Sequence, residues 1–259
     1  AGGALIPDTL LARATVKYYD TDGWIENQFD GNDLDHDENV KVTGRLIWQP
    51  TDALSFDLRG SYYDQDTGSL WFSPVNVLDV SGGEITEDMA RVKPDQNADS
   101  FSNRTIYDVS LVAELETSFG TFTSISAYDD IDVLFEEDLD ITAFTVTDNT
   151  RQARQTKGFS QEVRFTSPAE QRLRYIVGAY YQNTQRDVAT STDLDFCFLL
   201  PLPFCPTPPG VESGILVPLA LSVRASMSNA GQHARQCPRV RLLLDETGKL
   251  NQAVRDKRL

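Results

Sequence analysis

Residues 157–168, KGFSQEVRFTSP, put Phe159, Val163 and Phe165 at alternate positions, with Gln161 among them and Ser160, Glu162, Arg164 and Thr166 between. Successive side chains of an extended chain point to opposite faces, so this spacing predicts a strand with one apolar and one polar environment. The period recurs. Residues 53–63 alternate Leu54, Phe56 and Leu58 with Ser55, Asp57 and Arg59; residues 105–116 set Tyr107, Val109, Leu111, Ala113 and Leu115 against Asp108, Ser110, Glu114 and Glu116. Residues 172–182 repeat it through Leu173, Tyr175, Val177, Ala179 and Tyr181, and weaker versions cover 13–19, 41–49 and 121–131. Seven strands are predicted.

Their lengths narrow the fold. Several runs hold the alternation for ten residues or so, whereas strands of globular sheets most often have about five or six. A strand that crosses a bilayer at a tilt of about 45° needs about 9 to 11. The links narrow it further. Short links at 50–52, 117–120 and 168–171, with the turn chemistry of Pro50, Gly120 and Pro168, alternate with long ones at 20–40, 64–104, 132–156 and beyond 186. Outer-membrane barrels have this asymmetry, with short turns inside and long loops outside. The expected fold is therefore all-β, an antiparallel up-and-down meander that forms part of a transmembrane β-barrel with long extracellular loops. The three short turns belong on one edge. Leu54, Phe56, Leu58, Val109, Leu111, Val163 and Phe165 belong on an outer, convex face, and Asp57, Arg59, Glu162 and Arg164 on a concave one. Tyrosines at the outer strand ends and Trp48, Phe119 and Phe122 near the inner turns stand where interfacial girdles would lie. A soluble β-sandwich that binds carbohydrate or mediates adhesion is the alternative, since alternation alone also describes core and solvent faces.

Charge bears on partners and on domain limits. The 23 basic and 39 acidic side chains of the 259 residues leave a net charge of −16, which disfavours a nucleic-acid partner. Up to Gly210 there are 15 basic and 35 acidic residues, and from Val211 onward 8 and 4. An acidic partial barrel over 1–210 and an irregular basic tail over 211–259 are expected. No apolar run is long enough for a membrane helix: GILVPLALSV at 214–223 is short and holds Pro218. Cysteine is confined to Cys197, Cys205 and Cys237, too few for a disulfide framework; Cys197 and Cys205 flank FLLPLPF and could close a small loop if oxidised.

Four segments, in order, resemble a known family. TFTSISAY at 121–128, GFSQEVRFTSP at 158–168 and YIVGAYY at 175–181 look like the mid-barrel signature of TonB-dependent outer-membrane receptors. YYDTDGWIENQFDG at 18–31, with GRLIWQPTDALSFDLRGSYYDQD behind it, looks like that family's early barrel hairpins. The resemblance covers roughly 13–190. It implies a bacterial outer-membrane location and energy-coupled uptake of a scarce nutrient, such as a ferric siderophore, cobalamin or a saccharide. It also implies a ligand met at the extracellular loops, contact with outer-membrane lipid, and a TonB complex engaged through a plug domain. Family members are far longer, so the chain is expected to be an internal barrel fragment unable to transport alone.

Enzyme chemistry has no visible seat. His36 and His233 are the only imidazoles and neither has metal-ligand spacing with a cysteine. No nucleophile elbow, P-loop or dinucleotide fingerprint occurs, so catalytic residues, cofactors and metal ligands are expected to be none. Asp33, Asp35 and Asp37 alternate as in a calcium loop, but Glu38 stands at the glycine position and Gly44 at the closing glutamate. A solvated outer loop is the expected role of that stretch, and of the acidic DDIDVLFEEDLD at 129–140. The residues that would touch a ligand cannot be read from the sequence.

Overall fold

A computed structural model describes residues 1–68, 93–98, 100–143, 147–171 and 173–195, with the strands 216–228 and 239–242; for these two strands and for 147–149 the description extends to the backbone alone. The described chain is strand and loop. The strands are β1 (Gly2–Ile6), β2 (Leu10–Thr21), β3 (Asp37–Thr51), β4 (Leu54–Gly68), β5 (Phe101–Thr117), β6 (Gly120–Glu137), β7 (Thr147–Thr166), β8 (Ile176–Asp195), β9 (Leu216–Ser228) and β10 (Arg239–Leu242). They form one antiparallel sheet in chain order, β1 to β10, which does not close on itself.

The seven predicted strands are β2 to β8, and β1, β9 and β10 are additional. The tail beyond Gly210 therefore contributes two strands where irregular chain was expected. In sequence, residues 221–228 alternate Leu, Val, Ala and Met with Ser and Arg; Pro218 masks the start of the run. That proline is tolerated because β10 pairs only with 221–224 of β9, leaving one edge of the strand open at 218. Cys197, Cys205 and Cys237 lie outside the described residues.

The strands are also longer than predicted. β6 and β7 have 18 and 20 residues, and the link expected at 132–156 shrinks to 138–146. Residues 147–156, TDNTRQARQT, are polar except for Ala153, so no period of two is left to read. The β3–β4, β5–β6 and β7–β8 turns lie on one edge of the meander, as expected, and the strand ends Thr21, Asp37, Gly68, Phe101, Glu137, Thr147, Asp195 and Leu216 on the other. In the β5–β6 turn Gly120 has φ +146°, and a Cβ there would stand 2.4 Å from the Thr166 carbonyl oxygen.

Register fixes the faces. β4 and β5 pair without irregularity from Leu54↔Leu115 to Gly68↔Phe101, so one face carries Leu54, Phe56, Leu58, Gly60 and Tyr62 beside Leu115, Ala113, Leu111, Val109 and Tyr107. Val42, Leu46 and Trp48 of β3 continue it on one side, and Phe122, Tyr128, Phe159, Val163, Phe165 and Val177 on the other. From Leu54 to Tyr62 and from Tyr107 to Leu115 this apolar band is nine residues tall, within the ~9 to 11 that a tilted strand needs to cross hydrocarbon. Aromatic rings bound it. Toward the short turns lie Trp48 stacked on Phe56 (5.2 Å) and Phe122 against Phe165 (4.7 Å); toward the long links lie Tyr62 with Tyr107 (5.0 Å) and Phe159 with Tyr181 (6.3 Å).

The opposite face is charged. Arg45 and Arg59 are directly opposed, and Asp57 bridges the two, at 2.7 Å and 2.6 Å. Glu162 and Arg164 pair on the same face at 3.5 Å. A soluble sandwich would cover its apolar face with a second sheet. Here, among the described residues, Leu34 and Ala98 are the only buried hydrophobics, whereas Leu58, Val109, Leu111 and Val163 are exposed. The apolar content of the chain has gone to a sheet face rather than to an interior.

Candidate functional site: the outer loop cluster

At the edge carrying the long links, three segments are tied together by buried polar groups. The first is 22–36. Asp35 Oδ1 accepts the N–H groups of Trp24 (2.9 Å) and Ile25 (2.7 Å), while Gly23, at φ +98°, passes so close that a Cβ would meet that oxygen at 2.5 Å. Asp30 accepts both the backbone and side-chain N–H of Asn32, and Asn27 N–H reaches the Asn32 carbonyl at 2.8 Å. The acidic residues of this stretch thus do turn work. Asp35 holds backbone amides, and Asp37 accepts from Asn39 and Gln65. Among the described residues no group of three or more His, Cys, Asp or Glu converges to share a metal ion.

The second segment, 93–98, docks on the first through a reciprocal pair. Asn27 Nδ2 donates to the Gln96 carbonyl (2.8 Å) and Gln96 N–H donates to Asn27 Oδ1 (2.9 Å), both side chains being buried. Lys93 donates to Glu26 at 2.7 Å and holds that carboxyl below its ordinary range, through the hydrogen bond first and its charge second. The third segment, 138–142, is held by Asp138. Its carboxylate, with no exposed surface, accepts from Asn97 N–H (3.2 Å) and Ile141 N–H (3.0 Å), while its own N–H donates to Ser100 Oγ (3.2 Å). Burial, and then the charge of Asp140, push Asp138 up from 3.8 to about 7, against the pull of the backbone amides of Ile141, Asn97 and Ala98.

The first two segments, with the strand ends at Asp66 and 100–103, wall a cleft of about 580 Å³. Its lining includes Phe29, Asp33, His36, Asp66, Phe101 and Asn103, with the buried Asn27 and Gln96 behind. His36 Nε2 lies 3.4 Å from Asp66 Oδ1, and Asn103 Oδ1 is a buried acceptor with no hydrogen-bond partner among the described residues. Two phenyl rings and several carboxylate and amide oxygens, with no Lys or Arg among the described lining residues, make this a pocket for donor-rich, non-anionic groups.

Sequence reading placed the acidic stretches 30–39 and 129–140 in loops. The structure puts 30–36, His36 included, in the β2–β3 link, but Asp37 to Asn39 belong to β3 and 129–137 to β6, where their carboxylates alternate with Ile131, Val133 and Phe135. Sequence reading did not bring Asp66, Phe101 or Asn103 to the link, because these lie on strand ends separated from it by tens of residues. Their only sequence trace is that Asp66 continues the alternate positions of Leu58 and Tyr62 beyond the band.

No family model matches the chain, and no curated protein matches it. A solved structure does resemble it: the crystal structure of the ferric yersiniabactin uptake receptor FyuA from Yersinia pestis, with a TM-score of 0.59 at 16% identity, over 88% of this chain and 32% of that one. At that identity the likeness speaks for the fold: this sheet is built like part of a receptor β-barrel. The chain spans about a third of the length of that receptor.

Proposed function

We propose that the chain is a wall segment of a bacterial outer-membrane TonB-dependent receptor, which takes up a scarce nutrient such as a ferric siderophore, cobalamin or a saccharide. The observation that carries this reading is the exposed apolar band, interrupted at mid-height by the hydrogen-bonded Ser124, Ser126 and Gln161 and bounded by two aromatic rows, on a sheet whose other face carries charged pairs. Such a face is stable against lipid and unstable against water. The polar face then lines a hydrated lumen, the loop cluster faces outside where nutrient arrives, and a plug domain of the full-length protein engages TonB. The chain supplies a wall and not a reaction centre.

The test uses the full-length product of the native gene. It should fractionate with outer membranes and migrate faster on gels unheated than boiled. Uptake of its nutrient should stop when TonB is deleted. A product that remains soluble, or uptake indifferent to TonB, would refute the proposal.

A further inference from the structure

The cleft does not face the lumen. β4 pairs with β5 without a bulge up to Gly68↔Phe101, so Asp66, Asn103 and Phe101 stand on the same face as Leu58, Tyr62, Tyr107 and Leu111. Asp66 lies four residues beyond Tyr62, about 13 Å along the strand at ~3.3 Å per residue. On the membrane reading above, on which this inference rests, that position is outside the wall and just above the interfacial tyrosines. A nutrient on its way to the lumen would not pass there; the head groups of the surrounding outer leaflet would be in contact with it.

The chemistry selects among head groups. Asp33 and Asp66 offer carboxylate acceptors, so the cleft asks for hydrogen-bond donors. Among the described residues the lining has no Lys or Arg to meet a phosphate, and the nearby Lys93 is paired with Glu26. The described acidic groups do not converge on a shared cation that could bridge to an anionic lipid. Phe29, 54% exposed at the mouth, and Phe101 offer ring faces of the kind that pack on the C–H side of a sugar. We propose that this outward cleft binds the uncharged saccharide head group of a glycolipid in the outer leaflet, anchoring the loop cluster to the membrane surface.

The experiment uses the full-length product in phosphatidylcholine nanodiscs doped with either monoglucosyl diacylglycerol or phosphatidylglycerol, with retained lipid counted by native mass spectrometry. The glucolipid should be retained in preference to phosphatidylglycerol. Phe29→Ala and Asp33→Ala, both on the exposed loop, should each lower retention about tenfold, the effect of losing about 1.4 kcal/mol of contact. Lys41→Ala, on the polar face, should leave it unchanged, and excess maltotriose should not displace the lipid. Preference for phosphatidylglycerol, no preference, equal loss in the Lys41 variant, or displacement by maltotriose as a soluble ligand would each overturn the proposal. Failure to enter nanodiscs at all would instead refute the membrane reading beneath it.

Discussion

Gln161 is the polar residue in an otherwise apolar row, and it tests where that row lies. Its Nε2 donates to Ser124 Oγ (3.0 Å) and to the Glu162 carbonyl (2.9 Å), while its Oε1 accepts from Ser126 Oγ. Ser124 and Ser126 face it from β6, opposite Val163 and Gln161. The three side chains close a small network at mid-height of the band, between the rows of Phe122–Phe165 and Tyr128–Phe159. In hydrocarbon nothing else can serve these groups. Gln161→Leu exposes an aliphatic side chain to lipid, a gain of about 2 kcal/mol. It also strands two hydroxyls, at about 1 to 3 kcal/mol each unless they turn to a backbone carbonyl. The net expectation runs from about zero to a loss of about 4 kcal/mol. Replacing the whole network, as Ser124→Ala, Gln161→Leu and Ser126→Ala together, removes both sides of every bond and should be neutral or stabilising. The triple variant should therefore be more stable than Gln161→Leu alone.

The assay is reversible guanidinium unfolding of the full-length protein from lipid vesicles, followed by tryptophan fluorescence, for the single, double and triple variants. A coupling of about 0.5 to 3 kcal/mol between position 161 and the two serines is expected. Additive effects, with Gln161→Leu stabilising by itself, would mean that the hydroxyls never depended on the glutamine. Changes within about 0.5 kcal/mol throughout would place the row in water, and the membrane reading would go with it.

Three further outcomes follow from particular positions. Labels at 56 and 57 in the reconstituted full-length protein should be quenched unequally by lipid-borne quenchers, strongly at 56 and weakly at 57; equal quenching would contradict the face assignment. Gly120→Ala should destabilise the β5–β6 hairpin by about 1 to 3 kcal/mol in the same unfolding assay, since its φ of +146° and the Thr166 oxygen at 2.4 Å leave no room for a Cβ. Asp138 has a folded pKa raised to about 7 over an ordinary 3.8, so its support for the loop cluster is full below about pH 4 and is lost as pH rises to 7. Hydrogen exchange at 93–98 and 138–142, corrected for intrinsic rates, should quicken from pH 5 to 8, and Asp138→Asn should flatten that dependence.

The sheet was legible because a face against one solvent and a face against another force a period of two on the residues between. That signal exists only where the two environments differ. It was readable at 53–63 and 105–116, and it vanished at 147–156, where β7 continues through residues that are polar on both faces but for Ala153. It was lost again at 216–220, where Pro218 interrupts β9 without ending it. Gln161 looked like a flaw in the pattern, and its explanation lay across the strand, in Ser124 and Ser126, which no reading of 157–168 alone could pair with it.

The cleft was hidden for a different reason. Asp33 and His36 come from a link, Asp66 and Asn103 from neighbouring strand ends, and nothing in their spacing marks them as one site. What joins them is register: once Leu54 is set opposite Leu115, every later pair on β4 and β5 follows, and Asp66 must appear beside Asn103 on the face of Tyr62 and Tyr107. The same counting decides which way the site looks. One extra residue bulged into β4 between Arg59 and Asp66 would carry Asp66 to the face of Arg59 and, on the membrane reading, turn the cleft toward the lumen, where it would be read as a nutrient site. The unbroken pairing from Leu54 to Gly68 excludes that bulge. The distinction between a pocket for cargo and a pocket for a neighbouring lipid therefore rests on backbone pairing, and the chemistry of the lining only selects the head group.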